Sequence, residues 1–305
     1  MNEYQYSFFI CHHTGGWEEI NFPLLDDEPI GVFCGNTSMN SPDIMDDYFV
    51  VHTFKGHAFL FQYIQDSDGG EPIDICGDNI RVDHVTCSFN YIFISTDNKV
   101  LVYSFNKNRA EVSLEATYLF SSPIIGMKSS SSNSITTFIH LQDYSLKMIK
   151  KDNNNIEDVD SNVLLFDVYE SAIAYVKNDL SQSIYDCSGE SLSIISQLSK
   201  PIDTNLPEHI YLNINNDGKY YCILENIPGM IKDLKLLFSK LIVRQRQIIY
   251  CDNQCHFISF FENEPFFEID TQIILFDQFI GSDDILIVMR HANFGFSPNF
   301  LIPYD

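Results

Sequence analysis

The chain is short of positive charge and of tryptophan. Eighteen lysines and arginines stand against 42 acidic residues, giving a formal net charge of −24, and there is one Trp in 305 residues. A field of that sign repels phosphate backbones and anionic lipid surfaces, so neither nucleic acid nor a membrane is an expected partner. No apolar run approaches the roughly 20 residues of a membrane-spanning helix. The opening Met-Asn-Glu-Tyr-Gln-Tyr has neither the basic segment nor the apolar stretch of a secretory signal. The eight cysteines mostly sit inside apolar runs, as in Phe8-Phe9-Ile10-Cys11 and Tyr220-Tyr221-Cys222-Ile223-Leu224. They are expected to be reduced core thiols of a cytoplasmic protein, because a free buried thiol packs as a small hydrophobe.

Catalytic signatures are also missing. There is no phosphate-binding loop, dinucleotide fingerprint or Gly-x-Ser-x-Gly elbow. Cys251, Cys255 and His256 flank a turn, but no second ligand pair stands at zinc spacing. Cys11-His12-His13 is similarly isolated. The segment from Asp152 to Glu157 begins like a calcium loop, yet Ile156 takes the fifth position and Glu157 the place of the sharp-turn glycine. The expectation is therefore a protein that is not an enzyme, with no catalytic residue, cofactor or metal site.

What is present is β-forming material: 25 Phe and 16 Tyr, with Ile and Val throughout an apolar fraction of 45%. A unit recurs in which a β-rich run, a short polar turn and a second β-rich run follow one another, the pattern of a hairpin. Phe49–Thr53 and Ala58–Phe61 form one such unit, and Tyr91–Ser95 and Val100–Tyr103 another. Thr137–Leu141 with Ser145–Ile149, and Ile210–Ile214 with Tyr220–Leu224, repeat it, and weaker copies lie near both ends. Turn centres at Gly15, Lys55, Asn98, Asp143, Asp179, Asp217, Asn253 and Ala292 are 36 to 45 residues apart. A spacing of about 40 residues suits the four-stranded blades of a β-propeller. The expected fold is an all-β propeller over 1–305 as a single domain, of seven blades, with six and eight as the neighbouring counts. The first and last hairpins would share a blade and close the ring, hiding the edges that otherwise template aggregation.

The run from His84 to Phe105 resembles the repeat of the regulator of chromosome condensation family. Cys87, Thr96, Asp97, Val102, Tyr103 and Phe105 match that repeat's Cys-Gly, Thr-x-Asp-Gly and Val-Tyr-x-Trp-Gly segments. Ser88 stands where the family has glycine after the cysteine, Asn98 or Lys99 where it has the turn glycine, and Phe105 where it has tryptophan. The resemblance implies a propeller, and family members serve as nucleotide-exchange factors for a small GTPase, chromatin binders or interaction modules.

Two features remain. Ile231, Leu234, Leu237, Phe238 and Leu241 are spaced as a helical stripe, so a short helical insertion is expected at 230–241, although two strands would read similarly. Lys219, Lys232, Lys235, Lys240, Arg244 and Arg246 gather six of the 18 bases within 28 residues. This is a candidate partner-binding patch, or else the solvated face of that helix and the strand after it. The expected function is a non-enzymatic protein-interaction scaffold, or a structural subunit of a larger cytosolic assembly such as a cytoskeletal or ciliary one. Its partners would be other proteins. Nucleotide exchange on a small GTPase is the alternative, and a hydrolase or lyase with carboxylates at a propeller centre a third reading.

Overall fold

A computed structural model describes residues 5–12, 16–20, 27–37, 47–62, 71–77, 80–130, 135–151, 155–169, 172–179, 181–188 and 192–198. Beyond these it describes 210–214, 220–224, 238–243, 247–252, 256–261, 264–270, 273–278 and 285–291. Apart from a 3-10 turn at Lys107–Arg109, the regular structure among them is antiparallel strand.

Strands β1 (Gln5–His12) and β2 (Gly16–Ile20) pair with one another. A four-stranded sheet follows in chain order: β3 (Pro29–Asn36), β4 (Asp47–Thr53), β5 (Ala58–Gln62) and β6 (Ile73–Asp74). The next holds β7 (His84–Ser88), β8 (Tyr91–Thr96), β9 (Lys99–Asn106) and β10 (Glu111–Leu119). It is followed by β11 (Ile124–Ser129), β12 (Thr136–Leu141), β13 (Leu146–Lys150) and β14 (Ile156–Asp160). Then come β15 (Val163–Tyr169), β16 (Ala172–Lys177), β17 (Gln182–Asp186) and β18 (Ser193–Leu198). The pair β19 (Ile210–Ile214) and β20 (Tyr220–Leu224) precedes β21 (Phe238–Val243), β22 (Gln247–Asp252), β23 (His256–Phe261) and β24 (Glu264–Asp270). Finally, β25 (Ile273–Gln278) and β26 (Ile285–His291) join the first two strands in the order β2-β1-β26-β25. Chain packing divides the protein into two compact units, 1–127 with 271–299, and 128–270 with 300–305.

The terminal strands thus share a sheet, with Phe8 opposite Val288 and Ile10 opposite Leu286. One detail differs from the sequence reading. Strand β26 was expected to turn near His291 onto a following strand, but its two neighbours are β25 and β1. The last hairpin is β25-β26, because Leu275-Phe276 supplies the apolar run that precedes Ile285–Met289. The expected helix at 230–241 meets strand at its end, where Phe238–Val243 is β21, paired with β22. Leu241-Ile242-Val243 is a short continuous apolar run, which reads as strand as readily as helix. Residues 230–237 lie outside the described residues.

The second strand of each sheet shows why the apolar runs are continuous. In β4, Tyr48 and Val50 pack into a cluster with Val85, Ile92, Ile94 and Tyr103 of the β7–β10 sheet. The alternate residues Phe49 and Val51 pack with Phe8, Ile10, Leu286 and Val288 of the terminal sheet. A strand buried on both faces needs apolar residues at every position, whereas one with a solvated face alternates. The outer strand β10 is mostly exposed, with Tyr118 its one buried residue. Stacked aromatics consolidate the first interface: Phe49 lies 5.2 Å from Phe61 and 5.8 Å from Phe8, centroid to centroid. In the second unit, Phe138 and Met148 pack likewise against Ile173 and Tyr175.

Candidate interaction face

In three sheets the turn between the second and third strands holds the chain as it leaves for the next sheet. Val82, just ahead of β7, donates its N–H to Gly56 O (2.8 Å) and accepts from His52 Nε2 (3.0 Å). Val163, opening β15, donates to Tyr144 O (2.9 Å) and accepts from His140 Nε2 (2.8 Å). Phe120, ahead of β11, donates to Asn98 O (2.8 Å) and accepts from Asn98 Nδ2 (2.9 Å). Three connecting residues therefore have both backbone polar groups satisfied by the preceding hairpin, as buried backbone requires. His52 and His140 stand at one repeat position, three residues before the turn centres Lys55 and Asp143. Ser95 occupies the same position before Asn98, and its buried hydroxyl has no partner. Asn98 supplies the donor there instead.

The imidazoles donate from Nε2, since a carbonyl can only accept. Burial pushes the pKa values of His52 and His140 below the usual histidine value, and that of His84 is lowered for the same reason. The turns are also tied to the chain entering their own sheets. Lys55 N–H donates to Asp27 Oδ2 (3.0 Å), and Asp97 N–H to Asp83 Oδ2 (2.6 Å). Asp97 is left-handed, with φ of 54°, which its short side chain tolerates in a two-residue hairpin.

These connections make up one end of the sheets, and large apolar side chains are exposed there. In the first unit Phe54 is 72% exposed, Leu119 63%, Ile30 46% and Ile125 44%. Phe54 sits in the β4–β5 turn with its N–H bonded to Glu28 O, beside Ile30 at the start of β3. Leu119 and Ile125 flank the β8–β9 turn, where Asn98 O holds Phe120 and Asp97 O accepts from Ile124 N–H (2.9 Å). Elsewhere in that unit, among the described residues, Leu114 is the one comparably exposed large apolar side chain. Isolated surface apolar residues are ordinary, but four at one end of three successive sheets suggest a contact surface. The carboxylates of Asp27, Glu28, Asp74, Asp83 and Asp97 share this end with Lys55, Arg81 and Lys99.

At the opposite end of β4, Tyr48 spans to the next sheet. Its hydroxyl donates to Phe89 O at 2.5 Å and also lies 3.3 Å from Tyr91 O. Phe89 is buried with φ of 48°, an unusual backbone state for an aromatic residue that its surroundings must enforce. Gly35 makes room for the tyrosine: a Cβ there would overlap the ring, with Cε1 2.6 Å away.

A carboxylate centre is not assembled among the described residues. Leu165-Phe166-Asp167 and Leu275-Phe276-Asp277 are matching segments of two first strands, with Asp167 opposite Ala174 and Asp277 opposite Leu286. Asp277 Oδ2 accepts from Cys34 N–H (2.9 Å) in one unit, and Asp167 pairs with the Lys128 ammonium in the other. Each is spent on a structural partner. Among the described residues no group of three metal-ligating side chains gathers, and no helix is long and apolar enough to cross a membrane.

Of the basic patch, Lys219, Lys232, Lys235, Arg244 and Arg246 lie outside the described residues, and Lys240 is placed by backbone alone in β21, opposite Cys251. The side chains of Cys11, His12, Cys251, Cys255 and His256 lie outside them too, as does the loop 152–154. The residues of the repeat resemblance are in place: Cys87, Val102, Tyr103 and Phe105 are buried, and Thr96 and Asp97 form the turn. Sequence reasoning missed the exposed face, for which Phe54 inside a polar turn was the available sign. The recurrence of His52 and His140 three residues before a turn was legible but went unread.

Serial four-stranded antiparallel sheets, joined from the outer strand of one to the first strand of the next, define a β-propeller. Its fold is similar to that of regulator of chromosome condensation propellers. Human WBSCR16 is similar in structure, with a TM-score of 0.58 at 9% identity over 94% of this chain and 99% of that one. Prp20p from Saccharomyces cerevisiae, described with its binding properties to Gsp1p and histones, has a TM-score of 0.55 at 10% identity over 93% and 91%. At such identities the likeness is one of fold. No family model and no curated protein matches the sequence.

Proposed function

We propose that the protein is a non-enzymatic interaction propeller that binds other proteins through the end of the sheets carrying Ile30, Phe54, Leu119 and Ile125. The observation that carries this reading is their exposure on a turn and on strand ends beside paired backbone groups. Loops fixed to a rigid frame are where binding residues concentrate. Asp277 bonds to Cys34 N–H and Asp167 pairs with Lys128, structural uses that agree with the same reading. Prp20p's description with Gsp1p and histones agrees with protein partners in general. Neither neighbour points to a cytoskeletal or ciliary setting.

The test is the native size of the tagged chain released from its own cells. A particle well above 35.1 kDa that contains a second protein is expected. Phe54→Ser with Leu119→Ser should reduce the bound fraction at least tenfold without lowering the melting temperature. A monomer alone, under gentle extraction, would remove the reading. Nucleotide exchange on a small GTPase is the second reading, supported only by the fold likeness to Prp20p. It predicts faster release of labelled nucleotide across a panel of such GTPases.

A further inference from the structure

The geometry points to a particular occupant for this face: an amphipathic segment of a cationic protein, with large apolar side chains flanked by lysine or arginine. This rests on the interaction reading above and specifies the partner's chemistry. Ile30 and Phe54 are both exposed beside the β4–β5 turn, and Leu119 and Ile125 beside the β8–β9 turn. Val82 ties the β4–β5 turn to the chain entering β7, and Ile124 N–H bonds to Asp97 O in the β8–β9 turn, so the four side chains stand on joined parts of one frame. Burying such side chains supplies affinity but little selectivity.

Charge supplies the selectivity. Five carboxylates (Asp27, Glu28, Asp74, Asp83 and Asp97) outnumber Lys55, Arg81 and Lys99 at this end. Three of these acids are held in place: Asp27 and Asp83 by turn N–H groups, and Asp74 Oδ1 by the N–H groups of Cys76 and Gly77. The whole chain adds a field from its net charge of −24. That field attracts a cationic segment from a distance and raises its association rate. It repels a second copy of this chain, a nucleic acid and an anionic membrane alike. The exposed apolar side chains therefore meet a cationic protein more readily than any of these.

The experiment places a photoreactive benzoylphenylalanine at position 54, 119 or 114 of the full chain in its own cells and sequences the cross-linked peptides. Expected are cross-links from 54 and 119 to one segment carrying both apolar and basic residues, and none to that segment from 114. The double variant D83N/D97N keeps the acceptor for Asp97 N–H and suits the left-handed turn. It should slow association with the identified segment, prepared as a peptide, about threefold or more at low salt. Raising salt to 0.5 M should erase that difference. Cross-links to an acidic or uncharged segment, to residues 292–305 of the same chain, or to a second copy would overturn the inference. So would an unchanged rate in the double variant. A protein that copurifies but cross-links at neither 54 nor 119 would sink the inference while leaving a propeller that binds elsewhere. No copurifying protein at all would end both.

Discussion

Tyr48 and His52 stand four residues apart on one face of β4 and bond the chain at the two ends of β7: the phenol reaches Phe89 O beyond it, the imidazole Val82 O before it. One strand thereby sets both the distance and the tilt of the neighbouring sheet. The apolar residue between them on that face, Val50, fills the interval. The exposed face inherits its rigidity from this grip, because the turn that carries Phe54 is the turn that binds Val82.

Removing a clamp donor should cost stability, and removing the orphan hydroxyl should not. His52→Leu or His140→Leu leaves a buried carbonyl unpaired, at a cost of about 1–3 kcal/mol. Asn98→Asp loses the amide donor to Phe120 O and should fall in the same range. Ser95→Ala removes a buried hydroxyl that lacks a partner and should be neutral or slightly stabilising. Urea unfolding midpoints of the four variants give the comparison, and a Ser95→Ala loss as large as that of His52→Leu would contradict it.

Acid should weaken the fold in the histidine range. His52, His84 and His140 bind protons less readily folded than unfolded. Stability is therefore complete above the unfolded value of about 6.5 and falls as pH drops through the lower folded values. Asp83, Asp27 and His84 face His52, and Asp143 lies beside His140. Asp143 titrates separately, because the Ser145 hydroxyl and N–H hold its carboxyl below the usual range. Acid also relieves the repulsion of a strongly negative chain, so the readout is a difference. Between pH 7.5 and 5.5 the urea midpoint should fall more steeply for the wild type than for H52Q/H140Q.

Gly35 and Tyr48 should be energetically coupled. Gly35→Ala drives a methyl into the ring and is expected to cost about 1–3 kcal/mol. Tyr48→Leu loses the bond to Phe89 O and aromatic packing, including the contact with Phe105 at 5.4 Å. In the double variant the overlap is gone, so the losses should sum to less than the singles by at least about 0.5 kcal/mol. A thermodynamic cycle from chemical denaturation measures this.

The described thiols should be slow to react. Cys34, Cys87 and Cys187 are buried, and burial pushes the Cys187 thiol up to about 12. Cys76 is half-buried and raised to about 11, with Tyr103 Oη 3.7 Å from its sulfur. Thiolate is the reactive form, so peptide-resolved maleimide labelling at pH 7.5 should modify Cys76 first and the other three only after urea is added.

Much of the fold was legible in the sequence because a hairpin is a local object. The β8–β9 pair could be placed from Tyr91–Ser95, Asp97-Asn98 and Val100–Tyr103 alone, since a two-residue turn fixes its own register. The terminal sheet was inferable because an unpaired edge is costly, although the partner of β26 had to be settled by β25. The end of the 230–241 stripe misled because a short apolar run reads as strand as readily as helix. The face was hidden because exposure is a property of neighbours: Phe54, Leu119 and Ile125 read as strand-forming residues like the buried Phe49, Leu101 and Ile124.

By itself the sequence determined an acidic, all-β chain of serial hairpins, and with it the propeller class. Those follow from charge count, residue shape and short-range turn chemistry, which act within about 40 residues. Tertiary structure alone decided that Tyr48, His52, Asn98 and His140 are the groups that join sheet to sheet, and that Ile30, Phe54, Leu119 and Ile125 face outward together. Both depend on which chain segments meet across the fold, and no local pattern encodes a carbonyl 22 to 41 residues away.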